Sequence, residues 1–112
     1  MAIMQAIKST DHQYMASAEY LLGEALVATR RNAQAEAVLR QNIQRWQQNK
    51  APAWRVARSE NLLALVLIQM NKMTDGKALL QSSYHALTAK DSGASDEAIA
   101  AAKARMTQAG LL

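Results

Sequence analysis

A chain of 112 residues, half of them hydrophobic, with a formal net charge of +4 and no cysteine, has the length of one domain. A fold of that size buries roughly two thirds of the surface its unfolded chain exposes, and the missing cysteines exclude disulfides, thiolate metal sites and thiol catalysis. The modest basic excess has no dense Lys/Arg block and no interleaving with aromatics along the chain, so it permits contact with phosphate backbones but specifies no base-reading helix.

Ala, Leu and Met dominate the apolar residues and Phe is absent, a composition that favours helix over sheet. The opening MAIMQAIKST lacks both the basic region and the long apolar run of a signal peptide. The apolar stretch from Leu62 to Ile68 is too short to span a bilayer. A cytoplasmic setting without membrane insertion is the expectation.

A first helix is predicted over 11–31, with Thr10 and Gln13 at capping-box spacing and Met15, Ala18, Leu22, Ala25 and Leu26 recurring every three or four residues. Asn32 interrupts it. A second helix over 33–49 turns Ala35, Val38, Leu39, Ile43 and Trp46 inward. Pro52 in NKAPAW stops that helix and suits the first turn of the next. The third, over 53–72, carries Trp54, Ala57, Leu63, Ala64, Leu67 and Ile68, widened by Leu62, Leu65 and Val66, and so packs on more than one side. Thr74 begins a fourth helix over 74–90 with Ala78, Leu79, Leu80, Tyr84 and Leu87 in its core face. DSGAS reads as a loop, and Ser95 or Asp96 starts a last helix over 95–109, lined by Ile99, Ala102, Met106 and Ala109. Joints this short make neighbours antiparallel.

A shift of 41 residues aligns Ala16 with Ala57, Glu19 with Glu60, Leu22 with Leu63, Leu26 with Leu67 and Leu39 with Leu80. It also sets Gly23 on Ala64 and Ala35 on Gly76. Glycine inside a helix costs roughly 1 kcal/mol against alanine, so these small positions predict close helix approach. YLLGEAL followed by NAQAEAVL, and more loosely NLLALVL followed by MTDGKALL, resemble the tetratricopeptide repeat family. The length of the unit, WRVARSENLLA and the later SYHAL are closest to the repeats in C-terminal tails of bacterial serine/threonine kinases and related signalling proteins. Glu19 and Glu60 stand where that family carries a first-helix tryptophan. The resemblance implies an all-α fold of two antiparallel helix hairpins, about 15–49 and 56–90, and a C-terminal capping helix. Residues 3–7 are a candidate cover for the opposite end of the stack.

In that family the first helices of successive pairs line a concave groove. The resemblance places Ser17, Tyr20, Glu24, Val27 and Ala28 along the groove of one unit, and Arg58, Asn61, Leu65, Ile68 and Gln69 along the other. Tyr20, Glu24, Arg58, Asn61, Leu65 and Ile68 are the expected partner-binding residues. Arg58 and Asn61, three residues apart, share a helix face suited to a carboxylate or a peptide backbone. The lysine–asparagine cluster with which chaperone-binding members clamp a terminal carboxylate is not present. Trp46 and Trp54 flank the joint between repeats and are expected to close it, with indole N–H groups that need partners when buried.

His12 and His85 are isolated, and Asp75-Gly76-Lys77 is no phosphate loop. No catalytic set, metal site or cofactor is expected. The function implied is noncovalent binding of a protein or peptide. Alternatives are homo-oligomerisation through an exposed repeat end, as in a homodimer, or the repeat portion of a bacterial signalling kinase or transcriptional regulator.

Overall fold

The computed structural model describes residues 8–112, with side chains from residue 13 onward. It is all-helical: α1 (Lys8–Ala28), α2 (Asn32–Gln48), α3 (Ala53–Gln69), α4 (Met73–Thr88) and α5 (Asp96–Gln108), with no strand among the described residues. The candidate cover at residues 3–7, the Thr10 cap and His12 lie outside the residues or side chains described.

The 41-residue period governs the backbone as well as the side chains. Arg30 and Asn71 both take left-handed φ, 61° and 64°, and so do Lys50 and Asp91, 54° and 67°. Arg31 and Lys72, just before α2 and α4, have φ,ψ of −89°,65° and −92°,65°. The bonds that close the first turn repeat too. Arg30 N donates to Val27 O and Arg31 N to Leu26 O, while Asn71 N donates to Ile68 O and Lys72 N to Leu67 O. This is the Schellman ending, which a residue in the left-handed region makes possible. It explains why α1 and α3 stop three residues earlier than their periodicity alone suggests. Lys50 ends α2 and Gly110 ends α5 in the same manner. At the end of α4 the Ser92 hydroxyl donates to Leu87 O at 2.7 Å, standing in for the Ala51 N to Trp46 O bond one repeat earlier. Ser95 caps α5, its Oγ accepting from Ala98 N at 3.2 Å.

Each helix packs on its successor, and α1 also meets α3 while α3 meets α5; the backbones of α2 and α4 do not approach each other. The odd-numbered helices therefore form an inner row and the even-numbered ones an outer row. Tyr20, Val27, Ala35, Leu39, Leu62, Leu63, Val66 and Leu67 form the largest core cluster. Ala57, Leu87, Ala98 and Ala102 form a second, and Ala64, Leu80 and Met106 a third. α5 thus covers the far side of the second hairpin, as expected of a terminal helix.

The small positions act as predicted. A Cβ at Gly23 would stand 2.7 Å from Leu39 Cδ2, and one at Gly76 would stand 2.7 Å from Ile68 Cγ1 and 3.2 Å from Ala64 O. α1 departs from the expectation. Its inward face is Ala16, Tyr20, Gly23 and Val27, whereas Met15 and Leu22 are exposed. α1 is apolar on opposite faces, and only one of them has a neighbour among the described residues.

Candidate functional site

The inner row is concave. Ser17, Tyr20, Leu21 and Glu24 of α1, Arg55 and Arg58 of α3, and Ser95, Glu97, Ala98 and Ala101 at the start of α5 line one cavity of about 300 Å³. A neighbouring cavity of about 310 Å³ shares Ser17 and Arg55 and continues past Trp46 to Asn49, Lys50 and Pro52. Together they make one groove that begins at the α2–α3 joint and runs between α1 and α5 with α3 as its floor.

Aromatic rings and guanidiniums alternate along that floor. Arg55 lies 5.3 Å from the Trp46 ring centroid and 4.8 Å from that of Trp54. Arg58 lies 5.3 Å from Trp54 and 4.0 Å from Tyr20. The interleaving of basic and aromatic residues, invisible along the sequence, is produced by the joint between the hairpins. Trp46 is buried and its Nε1 donates to Asn42 Oδ1 at 3.0 Å. Trp54 packs beneath Gly93, whose left-handed φ of 75° brings its backbone close enough that a Cβ would lie 3.6 Å from the ring. Both tryptophans therefore hold the joint, as expected, and also position the arginines.

Polar networks brace the groove from below. Asn42 Nδ2 donates to Ala16 O at 2.6 Å and to Glu19 Oε1 at 3.3 Å, and its Oδ1 accepts from Ser59 Oγ at 2.6 Å as well as from Trp46. One buried amide thus ties α1, α2 and α3 together. Arg45 holds Glu19 through Nε at 2.9 Å and Nη2 at 3.1 Å, the bidentate geometry that strengthens such pairs. One repeat later, Asn61 Nδ2 donates to Ser83 Oγ at 3.0 Å and Asn61 Oδ1 accepts from Arg105 Nη1 at 2.8 Å. The Arg105 guanidinium also acts on the Tyr20 hydroxyl. α5 is thereby tied to α3, with its cation facing α1. Burial raises the Tyr20 hydroxyl above its ordinary pKa, opposed by Arg105 and Arg58. Burial also pulls the Arg58 guanidinium down, opposed by Tyr20.

The expected partner-binding residues divide into two groups. Tyr20, Glu24 and Arg58 come together on the groove wall and floor, with Ser17 beside them. Asn61 is 0% exposed and fully engaged inside the packing. Leu65 packs on the first core cluster and Ile68 on the third, against Gly76. Val27 is buried. Val27 belongs to the first core cluster, and the other three serve the fold because α3 is enclosed by α1, α2, α4 and α5, which leaves only its first turns open to the groove. Arg55, Glu97 and Arg105 escaped the sequence reading. The first was legible, since Arg55 and Arg58 stand three residues apart on one face. The other two depend on α5 folding back toward α1, which no local pattern specifies.

Among the described residues no group of three or more His, Cys, Asp or Glu is placed to hold a metal ion, and no helix is long and apolar enough to cross a membrane. No family model, curated protein or solved structure matches the chain.

Proposed function

We propose that this chain is a short helical-repeat scaffold of tetratricopeptide type that binds a protein segment noncovalently in the groove of its inner helices. The observation that carries the reading is the continuous groove whose wall and floor bring Tyr20, Glu24, Arg55 and Arg58 together. Its two adjoining cavities are lined from several helices and match a chain laid across them, and large aromatics with arginine are the side chains that anchor protein interfaces. Binding rather than catalysis is the activity proposed, in a cytoplasmic setting. Membership of a larger bacterial signalling protein is compatible with it, because the groove is built from the two hairpins and the terminal helix alone.

A photo-crosslinking residue at Ala101, on the groove wall, tests the reading in cells that express the protein, with Gln41 on the exposed surface of α2 as control. Crosslinks to another protein from position 101 and not from 41 are the expected result. Crosslinks from neither, or equally from both, would overturn it.

A second surface favours self-association. Tyr14 is 71% exposed, Leu22 49% and Met15 41%, and none of the three lines the groove. An apolar helix face of this kind is a common interface between copies. Light scattering on the purified chain, compared with Leu22→Gln, tests it: a dimer that the substitution dissociates supports this reading, and a monomer at all concentrations removes it.

A further inference from the structure

Two guanidiniums lie on the groove floor with no carboxylate at ion-pair distance among the described residues, the charge of Glu24 acting on Arg58 from farther off. Arg55 and Arg58 each lie within cation–π distance of two aromatic rings, a contact that does not consume the guanidinium N–H groups as hydrogen-bond donors. Every carboxylate in an ion pair among the described residues is held by Arg40, Arg45 or Lys72 instead. Arg58 Nε is buried and has no hydrogen-bond partner, and Asn49 Nδ2, in the adjoining cavity, is in the same condition. Buried donors of this kind are ordinarily satisfied. The groove therefore has cationic character where its two cavities join at Arg55, with Arg58 beside it on the same floor.

We propose that the groove takes an extended acidic peptide segment, with the carboxylate of an Asp or Glu side chain accepting hydrogen bonds from the guanidinium edges of Arg55 and Arg58. This rests on the groove being the partner surface. A planar carboxylate matches the planar fork of an arginine, and the flanking backbone carbonyls supply acceptors for the remaining guanidinium N–H groups. Glu24 and Glu97 line the same cavity, which sets the ligand class. A nucleic-acid strand would carry a repeating negative charge past both glutamates, whereas a peptide places one carboxylate at the arginines and a neutral or basic residue beside Glu24 and Glu97. The side-chain hydroxyls of Ser17 and Ser95, on opposite walls, add hydrogen-bonding capacity for a polypeptide backbone.

Selection of binders to the purified full chain from a display library of random peptides tests the proposal, with groove occupancy judged by competition with the crosslinker at position 101. The expected binders share an Asp or Glu, and changing that residue to Asn or Gln lowers affinity by roughly tenfold or more. Arg55→Gln and Arg58→Gln give comparable losses without moving the thermal unfolding midpoint, and amidation of the peptide C-terminus has no effect. The peptide-side substitution keeps the test decisive even if an arginine variant folds poorly. Groove binders indifferent to the acidic residue, or sensitive only to C-terminal amidation, would overturn the acidic-segment assignment while leaving the groove as partner surface. A single-stranded oligonucleotide that occupies the groove as tightly as the peptides would overturn it as well. Peptides that bind only outside the groove would overturn both readings.

Discussion

Arg105 Nη1 donates to Asn61 Oδ1 at 2.8 Å across a separation of 44 residues, and the same guanidinium acts electrostatically on Tyr20. This single side chain ties the last helix to the third. Asn61 is wholly buried, and removing a partner from a buried polar atom costs about 1–3 kcal/mol. Arg105→Met is expected to destabilise the fold by about that amount, whereas Lys103→Met, at an exposed position on the same helix, leaves stability unchanged. Denaturant unfolding of the two variants checks this, and equal midpoints would remove Arg105 from the framework.

The repeat predicts how an isolated carboxylate can be satisfied. Glu60 is the counterpart of Glu19, but the counterpart of Arg45 is Ala86. Glu60 consequently has no basic partner, and burial raises its pKa above the usual carboxylate value. The folded state then holds the proton more tightly than the unfolded state. Its contribution to stability is retained below the unfolded pKa and lost as pH rises through the raised folded pKa. Ala86→Arg, on the exposed side of α4, is expected to pair with Glu60, reverse the direction of its pKa shift and add about 0.5–1 kcal/mol at neutral pH. Glu60→Gln should also stabilise at neutral pH, and its advantage should shrink toward acid pH. Unfolding across a pH series reads both effects; a variant curve parallel to the parent at every pH would refute the pairing.

The two helical glycines are expected to respond unequally to alanine. At Gly76 the added Cβ meets Ile68 Cγ1 at 2.7 Å and, behind it, the backbone N of Ile68 at 3.0 Å. At Gly23 it meets only the branched end of Leu39, which can rotate more cheaply than a backbone can shift. Alanine gains roughly 1 kcal/mol of helix propensity at either site. Gly76→Ala is therefore expected to be net destabilising by about 1–3 kcal/mol, and Gly23→Ala distinctly less so. Gly23→Leu should cost about 1–3 kcal/mol through overpacking. Thermal unfolding of the set gives the order, and a Gly76→Ala protein as stable as the parent would deny the close approach of α3 and α4.

Much of the architecture was legible in the sequence because helix packing leaves a mark at fixed spacing. Gly23 on Ala64 and Ala35 on Gly76 announced the two hairpins, and Pro52 and DSGAS marked the joints. The helix ends were less legible, since Arg30, Lys50 and Asn71 adopt left-handed backbone without being glycine. The face of α1 could not be assigned from periodicity, because Leu21 and Leu22 are as apolar as the side that Tyr20 and Val27 bury. Asn42 and Asn61 are polar by type and core by position, so no hydrophobic pattern reveals them. At the site, Tyr20, Glu24 and Arg58 were readable from their place on the first helices of the two units. The contribution of α5 was not, because Glu97 and Arg105 enter only through the long-range fold.

The most direct measurement of the groove's role is amide chemical-shift mapping of the isotopically labelled chain titrated with a peptide selected from the random library. Perturbations concentrated at Ser17, Tyr20, Glu24, Arg55, Arg58, Glu97 and Ala101, saturating together and abolished when the peptide's acidic residue becomes its amide, are the predicted result. Perturbations confined to the outer surfaces of α2 and α4, or to Tyr14, Met15 and Leu22 on the far side of α1, would contradict it.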